Sequence, residues 1–247
     1  MSGGMYLAAA GALVQQMRLD LLANNVANIN TLGYKGDKAV FRVNPDATDQ
    51  QPTASMDGTQ PLSPYAPPFS SVIDFSQGAL QKTGNPLDVA INGDGFFGIQ
   101  TPDGIQYTRQ GNFTLNADGV LVTQDGYPVL GQGGEITLDK GTVAIDAQGR
   151  VSVNGDDVDQ LRITDFSNRE TLKKVGNGRF VASDSTTAQP AANPDLREGY
   201  LETSNVNPVR SMTEMIETAR AFQAYQKVIQ SEDDATAKSI EDVGKTV

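Results

Sequence analysis

The sequence predicts an α+β protein whose two ends are helical and whose middle is a mainly antiparallel β domain. Three observations predict it. Apolar residues recur at alternating steps of three and four near both termini, Asn-Gly and Asp-Gly dipeptides punctuate the stretch between them, and a proline-rich segment separates the first helix from that stretch.

In the first helical segment Met5, Ala8, Ala12, Gln15, Leu19, Leu22, Val26 and Ile29 fall on one seam, and seven of these eight are apolar. Such a stripe suits a helix that packs against another helix. Gly33 offers a left-handed position to end the segment, with Tyr34 placed to touch Ile29 across a Schellman-type stop. The helix is expected to run about 28 residues, roughly 40 Å. Asn24, Asn25, Asn28 and Asn30 crowd its end although Asn is a poor helix former. Either the helix frays there, or the outward amides bond to a neighbouring chain.

Residues 44–71 hold half of the twelve prolines and few large apolar side chains, so an extended connector is expected rather than a core element. From Val72 to Tyr200 short β-type runs such as Leu87–Ile91 and Val120–Thr123 alternate with turn dipeptides. Among these are Asn92-Gly93, Asp118-Gly119, Asn154-Gly155 and Asn177-Gly178. Such steps supply the positive φ of tight hairpins, and no helix-length periodic segment interrupts them. The last segment opens on Asn207 as N-cap and Pro208 at the first helical position, with Ser211 to Glu214 as a possible capping box. Its seam runs Met212, Met215, Ala219, Phe222, Gln226, Ile229, Asp233, Thr236, Ile240 and Val243, seven of the ten apolar, with the polar exceptions in the second half of the segment. The expected division is 1–35 N-terminal helix, 36–71 connector, 72–203 β domain and 204–247 C-terminal helix.

Composition narrows the chemistry. The net charge of −11 opposes a phosphate-binding surface, so no nucleic-acid partner is expected. Cysteine, histidine and tryptophan are absent. Their absence removes Cys/His zinc sites, thiol nucleophiles and imidazole triads. The longest apolar run, Met5 to Val14, is half a membrane span and no basic residue precedes it. Neither membrane insertion nor a cleaved leader is therefore expected. Gly93-Asp94-Gly95-Phe96-Phe97-Gly98 has the spacing of a dinucleotide loop, but a strand stub and a turn follow where a helix is needed, so it reads as a hairpin. Asp156, Asp157 and Asp159 form an acidic cluster that reads as a solvated loop. No catalytic residue, cofactor or metal is assigned. A carboxylate-dependent glycan hydrolase would account only for the acidic middle, and a carbohydrate-binding module would fit the β domain and leave both long termini unexplained.

Three stretches carry a family resemblance. Ala23-Asn24-Asn25-Val26-Ala27-Asn28 with Thr31-Leu32-Gly33-Tyr34-Lys35 resembles the N-terminal signature of flagellar basal-body rod and hook proteins, with Tyr34 where that family more often has Phe. Asp88 to Phe97, containing Gly93, Asp94, Gly95, Phe96 and Phe97, resembles their central β motif. Ser204-Asn205-Val206-Asn207-Pro208-Val209 resembles their C-terminal one. The resemblance implies that both terminal helices pair as an inner coiled-coil domain with the β domain outside it. It implies helical assembly with other rod proteins and with copies of the chain. It also implies passage through the flagellar type III export apparatus without a cleaved signal, and residence in the periplasmic rod. Within the family, the modest length and single β domain resemble the proximal-rod member most, with the distal-rod member as the alternative.

Overall fold

The structure is a computed structural model that describes residues 3–41, 69–183, 188–191 and 194–244; the side chains of residues 41 and 242–244 fall outside that description. Most of the proline-rich connector, residues 42–68, lies outside it too. Two compact units emerge. A helical unit takes Met1–Ala27, Asp37–Val72 and Asn207–Val247, and a β unit takes Asn28–Gly36 and Ile73–Val206.

In the helical unit, α1 (Gly3–Ala27) packs on α2 (Pro208–Gly244). Gly11 lies against the ring of Tyr225, and Gly4 faces Glu232. Stepping back seven residues along α1 advances seven along α2, so the helices run antiparallel. A Cβ at Gly11 would stand 2.5 Å from that ring, which is why the closest approach falls on a residue without one. On α2 the buried positions are Ser211 and Thr218, again seven apart. Thr218 satisfies its hydroxyl by donating to the Glu214 carbonyl at 2.7 Å. Asn207 caps α2 as expected, its side chain accepting from Arg210 N at 3.1 Å. Ser211 and Glu214 lie inside the helix, and Glu214 pairs instead with Arg210 at 2.9 Å. The ends of the connector are more regular than expected, since β1 (Asp37–Phe41) and β2 (Phe69–Ile73) pair with each other.

The β unit is built from short strands. They are β3 (Leu80–Lys82), β4 (Val89–Ile91), β5 (Phe96–Thr101), β6 (Gly104–Thr108), β7 (Thr114–Leu115), β8 (Leu121–Val122), β9 (Val143–Ile145), β10 (Arg150–Val153) and β11 (Asp156–Gln160). They continue with β12 (Ile163–Phe166), β13 (Lys173–Gly176), β14 (Arg179–Val181), β15 (Ala188–Pro190), β16 (Leu196–Glu198) and β17 (Tyr200–Glu202). The largest sheet has the order β13-β14-β6-β5-β12-β15, and a second has the order β11-β10-β9. The pairs β16–β4 and β17–β3 bring the end of the unit back to its beginning. These ladders are antiparallel. Asn154 and Asn177 take the positive φ their hairpins demand, at 54° and 47°.

Strand β5 organises the core. Neighbouring strand residues point to opposite faces. Phe97 and Ile99 therefore enter a cluster with Val89, Leu121, Val129, Ile136 and Val151, while Phe96 enters a second cluster with Tyr107, Phe166, Leu172 and Phe180. Phe96 and Phe97 are both fully buried, each worth about 1.5–3 kcal/mol of transfer energy. That two-sided burial explains why the strand reads as a continuous apolar run instead of alternating.

Candidate functional site at the junction of the chain ends

The N-terminal motif does not continue the helix. Helix α1 stops at Ala27, so Ile29, expected on its seam, sits half-buried in a turn of the β unit. Gly33 has a positive φ of 62°, but it does not cap α1. Its N–H donates to the Glu202 carbonyl at 2.7 Å, and a Cβ there would stand 2.6 Å from the Arg109 carbonyl carbon. Chain crossing, rather than a helix stop, demands the glycine.

Two residues on, Lys35 is buried and donates to Glu202 Oε1 at 2.6 Å and to the Ser76 carbonyl at 2.8 Å. Arg109, also buried, reaches Glu202 Oε2 at 3.3 Å and the Gly93 carbonyl at 2.7 Å. Gly78 N donates to Glu202 Oε1 at 2.8 Å. The lysine and arginine side chains are 1% and 2% exposed and the glutamate's is 0%, so one carboxylate holds two cations away from water. Burial lowers the pKa of both cations, and the facing Glu202 opposes that shift in each.

Asn205 completes the junction. Its side chain accepts from Gly36 N at 2.8 Å and donates to the Asp74 carbonyl at 2.7 Å, while its own N–H donates to the Tyr34 carbonyl at 3.3 Å. Tyr34 is buried with Lys174 Nζ 4.6 Å from its ring centroid. Parts of all three resemblance stretches therefore meet in one place: Gly33, Tyr34 and Lys35 from the first, Gly93 from the second and Asn205 from the third. Lys35, Arg109 and Glu202 were not singled out from sequence as site residues. The partner of each lies far along the chain, at separations of 167 residues for Lys35 and 93 for Arg109.

The other site residues divide. Asn25 spends its amide inside the helical unit, donating to Asp37 O at 2.8 Å and accepting from Asp37 N at 2.9 Å. Asn24 is exposed and Asn28 half-buried in the turn. Gly95, with φ 119°, leads into β5 with no helix behind the glycine loop, and Asp94 pairs with Arg169 at 2.6 Å. On α1, Ala8, Ala12 and Leu22 are buried and Met5, Leu19 and Val26 half-buried, but Ala10 and Val14 off the seam are buried as well. On α2, Met215, Ala219, Phe222 and Ile229 are half-buried. Met212 and Ile240, expected on the seam, stand 51% and 68% exposed. The side of α2 that is buried is turned by about one residue from the expected one, because small Ser211 and Thr218 permit a closer approach than methionine. Val243 lies in the last turn, where side chains are outside the description. Ser204 accepts from Val206 N at 3.2 Å, a local turn ahead of the helix. The acidic cluster is strand β11 and not a loop. Among the described residues, no group of three or more acidic side chains is placed to hold a metal ion, and no helix is long and apolar enough to cross a membrane.

Comparison with known proteins places the chain in a family. Residues 5–35 match the family described as "Flagella basal body rod protein". Residues 90–153 match "Flagellar hook protein FlgE/F/G D1 domain", and residues 197–241 match "Flagellar basal body rod FlgEFG protein C-terminal". The chain belongs to the flagellar basal-body rod protein family, a family of structural proteins. It is 34% identical to the flagellar basal-body rod protein FlgF of Caulobacter vibrioides over 99% of both chains. It is 37% identical to the rod protein FlgG of Bacillus subtilis over 93% of this chain and 95% of that one. The FlgF of Rhizobium meliloti is 33% identical over 99% of both.

Proposed function

We propose that this protein is a non-enzymatic subunit of the proximal section of the flagellar rod. It is exported through the flagellar type III apparatus without a cleaved signal and polymerises helically with neighbouring rod proteins and with copies of itself. The helices α1 and α2 form the coiled-coil layer that transmits torque and lines the export channel. The observation that carries this reading is the outer side of α2. Val209, Met212 and Ile216, at helical steps of three and four, are 75%, 51% and 55% exposed. An apolar stripe of that kind marks a contact surface. The full-length match to a protein named FlgG supports the distal section as the second reading.

The test is the double substitution Met212→Asp and Ile216→Asp. Because neither side chain is buried, the variant should fold like the parent by circular dichroism and thermal unfolding. It should nevertheless be missing from purified basal bodies, and cells carrying it as sole copy should be non-motile. Normal motility with the variant present in basal bodies would refute the assignment of this stripe. Fractionation of the parent against proximal and distal rod fragments decides between the two sections.

A further inference from the structure

Two of the edge strands in the β unit share a feature. Strand β11 is the outer strand of the three-stranded sheet and β13 that of the six-stranded sheet. Each carries a register shift against its inner neighbour, between the partners of Asp157 and Asp159 in β11 and between Lys174 and Gly176 in β13. The extra residue is a valine in both, and both valines project: Val158 is 46% and Val175 44% exposed. A bulge disrupts the ladder of an edge strand, so neither edge is suited to add a further strand by backbone pairing. What each presents instead is a valine knob set among charges.

Those charges are opposite. Asp156 and Asp157, both exposed, precede Val158 in sequence, and Lys173 with Lys174, the single adjacent pair of cations in the chain, precedes Val175. Like charge opposes contact of β11 with β11, or of β13 with β13, between copies. Opposite charge favours β11 against β13. A contact between two different patches does not close on itself as a two-fold dimer does; it repeats from copy to copy.

We infer that the β11 edge of one copy docks on the β13 edge of the next, with Val158 against Val175 and Asp156 and Asp157 facing Lys173. The occupant of each edge is thus a second copy of this chain. This inference rests on the assembly reading given under Proposed function. So small a contact does not hold free subunits together. Between copies already held by their helices it becomes intramolecular and gains from a high effective concentration.

The chain has no cysteine, so a cross-linking test has no background. Cells carrying Val158→Cys with Val175→Cys as the sole copy are lysed after mild oxidation, and basal bodies are purified. The expected result is a reducible ladder of dimers and higher multimers, absent from either single variant. Lys173→Glu or Asp157→Lys added to the double-cysteine chain should lower the cross-linked yield about tenfold, and both together should restore it. Lys174 is left unchanged because it sits over the Tyr34 ring. Protein present in basal bodies without a ladder, or a ladder indifferent to the charge swap, overturns the edge contact and leaves the assembly reading standing. Protein absent from basal bodies in the unsubstituted strain removes the assembly reading and the edge contact with it.

Discussion

The two units solve opposite packing problems. In the β unit the largest apolar residues, Phe96, Phe97, Phe180, Ile91 and Leu121, are at most 1% exposed, and even its buried charges find one another. In the helical unit the fully buried residues are mostly small, among them Ala8, Ala10, Ala12, Ser211 and Thr218. Leu7, Val209, Met212 and Ile216 stay more than half exposed. A domain that buries its large residues is stable by itself. A helix pair that buries its small ones and displays the large ones gains less from its own packing. The difference makes the β unit the better packed of the two.

The comparison breaks first at the junction. Glu202→Ala leaves Lys35 and Arg109 buried without their anion, and a loss of about 3–5 kcal/mol is expected in the denaturant transition of the β unit. The far-ultraviolet helical signal of α1 and α2 should melt at the parent's midpoint. If the β unit also unfolds at the parent's midpoint, the buried triad contributes nothing. Next comes Gly111→Ala, whose Cβ would overlap the Val89 carbonyl oxygen. Shifting that backbone should cost about 1–3 kcal/mol, again in the β transition alone.

On the helical side the effects are smaller. Asn207→Ala removes the bond to Arg210 N and should cost about 1 kcal/mol, read as a lower midpoint of helix melting with the β transition unmoved. The smallest effect concerns pH. The hydrogen bond from Arg169 lowers the pKa of Asp94 below its ordinary 3.8. A carboxylate depressed in the folded state stabilises it at pH above the unfolded value, and that stabilisation is lost as pH falls through the folded one. With Asp94 67% exposed, the Asp94→Asn variant should differ from the parent by only a few tenths of a kcal/mol at pH 7. The two should converge at strongly acid pH in thermal unfolding.

How far the sequence could be read depended on how local the cause was. Helix spacing, the Asn207 cap and the hairpins at Asn154-Gly155 and Asn177-Gly178 arise within a few residues, and all were visible. The stop of α1 at Ala27 was not, because Val26 and Ile29 continue the apolar period. What ends the helix is Asn25 bonding both ways to Asp37 and the Gly33–Glu202 crossing. The side of α2 that packs inward was misjudged for a related reason. Apolarity pointed to Met212, while the buried side of α2 carries the small polar Ser211 and Thr218, which no apolar period marks. The junction was half legible. Its glycine, tyrosine and asparagine lay within recognisable stretches, but nothing near Lys35 announces a glutamate 167 residues away.

The bonds that close the junction also decide where tension would travel. Gly33 N is tied to Glu202 O, and Asn205 N to Tyr34 O, so the two segments advance in the same direction. One leads back to residue 28, and the other leads forward to residue 206. Opposed pulls on those two points would therefore slide one segment along the other, loading these bonds and the Lys35–Glu202 pair together rather than one at a time. Strain entering the β unit at one end of its chain and leaving at the other is shunted through a few tenths of a nanometre of hydrogen bonds.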